Sequence, residues 1–299
     1  MTSSIAGHTV VVVPGFIQGS KSVDASSRSL LRALRENDLD VLVARLPGRG
    51  APEGAIGFHF SDYVELLDEE VHRATQRSEH VSIVGHSLGG LLAVCLPQET
   101  QEKLHRRVVV GSPLAPSATT MLAPLLDATL QPIAKVLHHL DVPFPGKLFG
   151  KMFHILRRGM NRKGVRFPLQ VWAPGAFEHE DWQEILHEGF VSDSFGVLSD
   201  LLDLNISSGR RAGHLEVAPR ISFPDAPPTL VIAGDADAIA PVAQVRRLFE
   251  RIGSREKRFV VVGMKSCGVP FGHIDLLIGR FAPQFVWPEL LRFLQPKTQ

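Results

Sequence analysis

Short unbroken runs of apolar residues alternate along this chain with longer stretches in which apolar positions recur every three or four residues. The runs are Thr9-Val10-Val11-Val12-Val13, Asp40-Val41-Leu42-Val43-Ala44, Val81-Ser82-Ile83-Val84, Arg107-Val108-Val109-Val110, Thr229-Leu230-Val231-Ile232-Ala233 and Arg258-Phe259-Val260-Val261-Val262. Unbroken apolarity, rather than alternation, is what a strand buried on both faces needs, and it is the habit of parallel sheets. The stretches between them have helical spacing. Leu30, Leu31 and Leu34 predict a helix over 26–35, and Val64, Leu66, Leu67 and Val71 predict one capped by Ser61-Asp62. Two more are expected over 242–251 and about 282–294. Strand-helix alternation of this kind predicts right-handed βαβ units, an α/β fold on an open, mostly parallel sheet of about six strands.

The rhythm breaks between Pro113 and about Pro219. Strand patterns vanish there, and long apolar helical patterns take over, interrupted by Pro143, Pro145, Pro168 and Pro174. The expected organisation is a core of residues 1–112 and 220–299, with 113–219 inserted as a helical cap after the fourth strand.

Composition narrows the partners. With 299 residues, 44% hydrophobic and 21% charged, a net charge of +1 gives no reason to expect nucleic acid. Cys95 and Cys267 are too few for a disulfide framework and are expected as buried thiols. The uncharged start of the chain lacks a basic n-region, and its apolar run stops at Pro14-Gly15, so it does not read as a secretion signal. The uncharged run from Val108 to Leu126 is cut by Pro113, Pro116 and Pro124 and does not read as a membrane span. A soluble, cytoplasmic protein is expected. No His-Glu-x-x-His and no Gly-x-x-x-x-Gly-Lys occurs, so neither metal nor nucleotide cofactor is expected.

Candidate chemistry starts at Gly85-His86-Ser87-Leu88-Gly89, which follows an apolar strand and opens an apolar helix. In such a G-x-S-x-G elbow the serine stands at the apex of a sharp turn and is the nucleophile. A serine hydroxyl needs a histidine to take its proton and a carboxylate to steady that histidine. Two downstream loops carry them: Gly234-Asp235-Ala236-Asp237-Ala238-Ile239-Ala240-Pro241 and Gly272-His273-Ile274-Asp275. Both follow strands, on the rim where open α/β sheets bind ligands.

With these three loops the chain resembles the α/β-hydrolase fold superfamily, over most of 8–111 and 225–295. The resemblance implies Ser87 as nucleophile, Asp237 rather than Asp235 as the acid, and His273 as the base. It also implies backbone N–H groups of Phe16 and Leu88 as oxyanion donors, although the oxyanion loop here begins Pro14-Gly15 instead of the usual His-Gly. Asp235 is expected to shape its turn and Asp275 to cap a helix. The ending Gly-His-Ile-Asp-Leu-Leu-Ile-Gly is similar to that of acid lipases and polyhydroxyalkanoate synthases. Those synthases place cysteine at the elbow, so Ser87 argues for hydrolysis.

The implied activity is cofactor-independent cleavage of a carboxylic ester with a medium to long acyl chain. An acyltransferase or thioesterase would use the same three residues, and a non-catalytic ligand-binding homologue would keep the same fold. Between Val142 and Phe177 the chain has Lys147, Lys151, Arg157, Arg158, Arg162, Lys163 and Arg166 and no acidic residue. Leu148, Phe149, Met152, Phe153 and Leu156 fall there at helical spacing. Two readings stay open: a cap helix with its apolar side on the pocket, or weak contact with an anionic membrane surface.

Overall fold

A computed structural model of the chain describes residues 6–47, 56–114, 123–162, 170–207 and 209–295. Lys163 and Arg166 of the basic stretch lie outside these residues. Six strands form one parallel sheet: β1 (Ala6–Val13), β2 (Asp40–Val43), β3 (Ser78–His86), β4 (Arg106–Val110), β5 (Thr229–Gly234) and β6 (Lys257–Val262). Their spatial order is β6-β5-β4-β3-β1-β2. Val12 pairs with Val84, Val84 with Val108 and Val108 with Leu230, so the valine runs lie in register across the centre.

Successive residues of a strand point to opposite faces. Val10 and Val12 therefore pack with Leu30, Leu34, Trp287 and Leu290 on one side of the sheet. Val11 and Val13 pack with Tyr63, Leu67, Leu92 and Leu248 on the other. This two-sided burial is why the strands read as unbroken apolar runs.

Several helix ends differ from expectation. The first helix is Leu30–Arg35, capped by Ser29, whose Oγ accepts the N–H of Arg32 at 2.9 Å. Ser26 and Ser27 are committed elsewhere, to Glu184 and Asp181, so they do not start it. The next helix, Phe60–Thr75, is capped by His59, with Asp62 one turn in and accepting the His59 N–H at 2.7 Å. The last helix is two, Ala282–Phe285 and Trp287–Leu294, because Pro288 has no N–H to continue the ladder. Cys95 is buried, which pushes its thiol up to about 12, but Cys267 is only half-buried.

Between β4 and β5 lie the helices Ala123–His139, Gly146–Met160, Asp181–His187 and Phe195–Ile206. Two short ladders join them, Pro143–Phe144 with Asp193–Ser194 and Arg211–Ala212 with Leu215–Glu216, so the segment is helical but not free of strand. Acidic side chains fasten its later half to the sheet-bearing part. Asp181 pairs with Arg28 and accepts from Ser27, and Glu184 takes Lys21 at 2.6 Å and the Ser26 N–H at 2.8 Å. Asp200 takes the Phe60 N–H at 2.8 Å and meets His59, and its burial raises its pKa. Among the described residues, no helix is long and apolar enough to cross a membrane.

Candidate active site

Ser87 stands between β3 and the helix Leu88–Val94 with φ 53° and ψ −119°, a region L-residues other than glycine rarely occupy. Its N–H donates to the carbonyl of Val110 at 2.9 Å, tying the turn to the end of β4. The turn has to pass close beneath β1: a Cβ on Gly89 would lie 2.1 Å from the Val13 carbonyl oxygen. Apolar β3, the glycine and the helix behind it thus force the serine side chain up and out.

Asp237 lies in the turn after β5, where its Oδ1 accepts the N–H groups of Ile239 at 2.8 Å and Ala240 at 2.7 Å. Its Oδ2 lies 2.8 Å from His273 Nδ1, and His273 Nε2 lies 3.0 Å from Ser87 Oγ. Both the carboxylate and the imidazole are buried. With Nδ1–H donated to the carboxylate, Nε2 presents its lone pair to the serine hydroxyl. Asp235 points away: it accepts the N–H groups of Met264 at 2.7 Å and Phe271 at 3.1 Å and holds the loop before His273.

The structure brings Ser87, His273 and Asp237 into one chain of hydrogen bonds and leaves Asp235 outside it. Phe16 and Leu88 line the same cavity. Among the described residues, neither of their N–H groups has a protein acceptor, whereas Gly15 donates to Gln18 Oε1 at 2.7 Å and Ile17 to Asp193 Oδ2 at 2.7 Å.

Two further residues, His86 and Asp275, lie inside the Gly85–Gly89 and Gly272–Asp275 motifs and shape the site in ways those motifs did not announce. His86 is fully buried behind Ser87, with Nδ1 2.8 Å from Gln18 Oε1 and Nε2 3.1 Å from the His273 carbonyl. Burial holds its pKa well below the usual value, so it is a neutral spacer between the turn at residues 15–18 and the His273 loop. Asp275 is the first residue of the helix Asp275–Ile278, as expected of a helix-end residue, but its carboxyl also reaches outside it. It accepts the Gly272 N–H at 2.8 Å and the Ala173 N–H at 3.2 Å, and burial pushes it up to about 7.

A cavity of about 280 Å³ opens over Ser87 and His273. Its walls include Phe144, Phe149 and Phe153 on one side, Val171, Phe190, Leu198, Leu201 and Leu202 on another, and Ile239 and Ile274 at the rim; Gln18 is among its few polar neighbours. The basic amphipathic stretch divides differently from the sequence grouping. Phe149 and Phe153 face the cavity, whereas Leu148, one residue round the helix from Phe149, and Leu156, about a turn beyond Phe153, are exposed. Among the described residues no group of three metal-ligating side chains occurs. The site can polarise a hydroxyl, accept its proton, offer two N–H groups to an oxygen and enclose an apolar group.

A strained serine at the end of the third strand, with an imidazole and a carboxylate on the loops after β6 and β5, defines the α/β-hydrolase class of folds. The chain belongs to the Alpha/beta hydrolase family, whose pattern it matches over residues 10–278. It is 26% identical over 105 residues to Phospholipase YtpA of Bacillus subtilis (strain 168), a match spanning 34% of this chain and 40% of that relative. Among solved structures it is similar to the monoacylglycerol lipase of Paleococcus ferrophilus (TM-score 0.62, 19% identity, 96% of this chain and 93% of that one). It is also similar to a soluble variant of monoglyceride lipase from Saccharomyces cerevisiae (TM-score 0.65, 13% identity, 98% and 87%). A putative non-heme bromoperoxidase of Mycobacterium tuberculosis superposes comparably (TM-score 0.62, 15% identity, 98% and 95%), so these likenesses speak for the fold.

Proposed function

We propose that this protein is a serine hydrolase that cleaves carboxylic esters with medium to long acyl chains through Ser87, His273 and Asp237. The observation that carries the reading is the hydrogen-bonded run from Ser87 Oγ to His273 (3.0 Å) to Asp237 (2.8 Å) at the floor of an apolar cavity. Ser87 Oγ attacks the acyl carbonyl carbon while its proton passes to His273 Nε2, and Asp237 steadies the imidazolium. The carbonyl oxygen becomes an oxyanion facing the N–H groups of Phe16 and Leu88. The intermediate collapses, His273 gives the proton to the departing alcohol, and water repeats the sequence on the acyl-enzyme. The segment 113–219 serves as the cap that encloses the acyl chain. The likeness to Phospholipase YtpA supports an acyl lipid as the ester.

Labelling with a fluorophosphonate, followed by mapping of the modified peptide, tests the nucleophile. Labelling at Ser87, lost in Ser87→Ala together with ester turnover, is the expected result; a Ser87→Ala variant that keeps most of its turnover overturns it. Parallel assays on acyl thioesters distinguish ester hydrolysis from thioester cleavage.

The outer face of the Gly146–Met160 helix extends this reading to a membrane surface. Leu148 is 61% and Ile155 78% exposed there, beside exposed Lys147, Lys151 and Arg158, with Arg162 just beyond the helix end. Among the described residues none of these cations has an acidic partner. Packing Phe149 and Phe153 on the cavity accounts for the inner face only, and basic charge around exposed apolar groups suits an anionic bilayer. Salt-sensitive co-sedimentation with phosphatidylserine vesicles, lost in Ile155→Asp, is expected; absence of co-sedimentation overturns this docking.

A further inference from the structure

The oxyanion loop is held by a part of the chain far from it in sequence. Residues 15–18 form a tight turn closed by the Gln18 N–H on the Gly15 carbonyl at 3.2 Å. Its third residue, Ile17, has φ 53°, where a β-branched side chain is rarely found. Both backbone groups of Ile17 are taken by the segment 189–194: its carbonyl accepts from Val191 at 2.9 Å, and its N–H donates to Asp193 Oδ2 at 2.7 Å. Asp193 is completely buried. Its other oxygen, Oδ1, accepts from the hydroxyl of Tyr63 at 2.7 Å and from the Ser194 N–H at 2.9 Å. Tyr63, the chain's one tyrosine, comes from the Phe60–Thr75 helix.

The N–H of Ile17 belongs to the peptide immediately after that of Phe16. In a turn of this kind the two peptide planes are coupled through one residue, so fixing the second limits how the first can rotate. Without an acceptor at Asp193, the Val191 bond to the Ile17 carbonyl would remain, but the peptide joining Phe16 to Ile17 would lose its partner, and the Phe16 N–H would be free to turn away from the oxygen over Ser87. We propose that Asp193, itself oriented by Tyr63, is a positioning residue for the oxyanion-facing N–H of Phe16; this rests on the reading of Ser87 as an acylated nucleophile. The inserted segment then completes the catalytic machinery as well as covering it.

The variants Asp193→Ala, Asp193→Asn and Tyr63→Phe test this, with three readouts on each. The first is kcat and KM for a medium-chain ester. The second is affinity for octyl trifluoromethyl ketone, to which Ser87 Oγ adds while its proton passes to His273 and the ketone oxygen becomes an oxyanion. The third is affinity for the methyl ketone of equal chain length, which fills the same cavity without a stable adduct. Asp193→Ala is expected to lower kcat roughly 10²-fold, the scale of one lost oxyanion donor. Trifluoromethyl ketone affinity should fall in step, with KM and methyl ketone affinity nearly unchanged. Asp193→Asn, which keeps an acceptor, should recover most of the loss, and Tyr63→Phe should cost less than Asp193→Ala. A merely structural role would move both ketones together. If Asp193→Ala does not fold, Tyr63→Phe decides, and an unchanged ratio of the two ketone affinities there overturns the proposal. A wild type that neither takes fluorophosphonate nor binds the trifluoromethyl ketone overturns the nucleophile reading and this proposal with it; a labelled wild type with indifferent variants overturns the proposal alone.

Discussion

Asp275 accepts the N–H of Gly272 at 2.8 Å and so closes the loop that presents His273, while its other oxygen takes the Ala173 N–H from the inserted segment. Burial raises its carboxyl to about 7 from an ordinary 3.8. An acid whose pKa is raised by folding favours the folded state most when protonated. That contribution is complete below the ordinary value and is lost as pH rises through about 7. Wild-type Tm should therefore fall relative to Asp275→Asn as pH rises from the ordinary 3.8 to about 7, and run parallel to it above that. Parallel Tm profiles for the two proteins would contradict it.

The two neighbouring aspartates after β5 should separate cleanly. Asp237→Asn should lower kcat by roughly 10⁴-fold, since an amide favours the wrong imidazole tautomer. Asp235→Asn weakens only the hold on Met264 and Phe271, so it should lower Tm and leave kcat within about tenfold. The reverse ranking in steady-state assays would move the acid to Asp235.

An apolar cavity over Ser87 sets a trend with chain length. Each buried methylene contributes up to about 0.8 kcal/mol, close to a fourfold gain. Along p-nitrophenyl acetate, butyrate and hexanoate, kcat/KM should rise. A steady fall from acetate onward would mean the acyl chain does not enter the cavity.

Gly150 separates helix propensity from packing. On an exposed helix face, alanine in place of glycine stabilises by up to about 1 kcal/mol. Here a Cβ would stand 2.0 Å from the Leu186 carbonyl oxygen, so Gly150→Ala should instead destabilise, by about 1–3 kcal/mol. Pushed off Leu186, the helix would carry Phe149 and Phe153 with it, so long-chain esters should suffer more than acetate. A raised Tm in the variant would show that the helix is not seated in this way.

At the opposite end of the sheet, His8 meets His80, His105 and the Arg106 guanidinium, and its Nε2 lies 2.8 Å from Ser82 Oγ. Burial first, then His105, His80 and Arg106, push His8 down to about 4, and burial and the same neighbours lower His105. A base held below its ordinary 6.5 stabilises the folded state above that value, and the contribution is lost as pH falls through about 4. His8→Asn should flatten the acid side of the Tm profile; an unchanged acid slope would place the sensitivity elsewhere.

The sheet and the helices that pack on it were legible in the sequence because each element carries its own pattern. The valine runs need both faces covered, and a Gly-x-Ser-x-Gly turn is a local steric demand. What escaped was set through space. Nothing around Asp193 or Asp200 marks them as partners of Ile17 and Phe60, residues 176 and 140 positions away. Ser26 stood at the start of the helical stretch 26–35, yet Glu184 holds it outside the helix. Leu148 and Phe149 looked like one apolar side, yet adjacent residues on a helix point about 100° apart, and only packing decides which is covered. Glycines 146 and 150, poor helix formers within a helix, are there because a Cβ would collide with the Val191 and Leu186 carbonyls.

The two walls of the cavity differ in how freely they can vary. Val171, Phe190 and Leu198 lie on the stretch that also supplies Asp181, Glu184, Asp193 and Asp200, so a change of shape there pulls on the core and on the turn at Ile17. Phe144 pairs with Asp193 and packs on Phe16, so it shares that constraint, whereas Phe149 and Phe153 sit on one helix whose side chains make no ion pair to the sheet-bearing part among the described residues. Selection for a differently shaped ligand, in nature or in the laboratory, should therefore accumulate at Phe149 and Phe153. Changes there would leave the wall that carries Phe190 and Leu198, and the serine site beneath it, as they are.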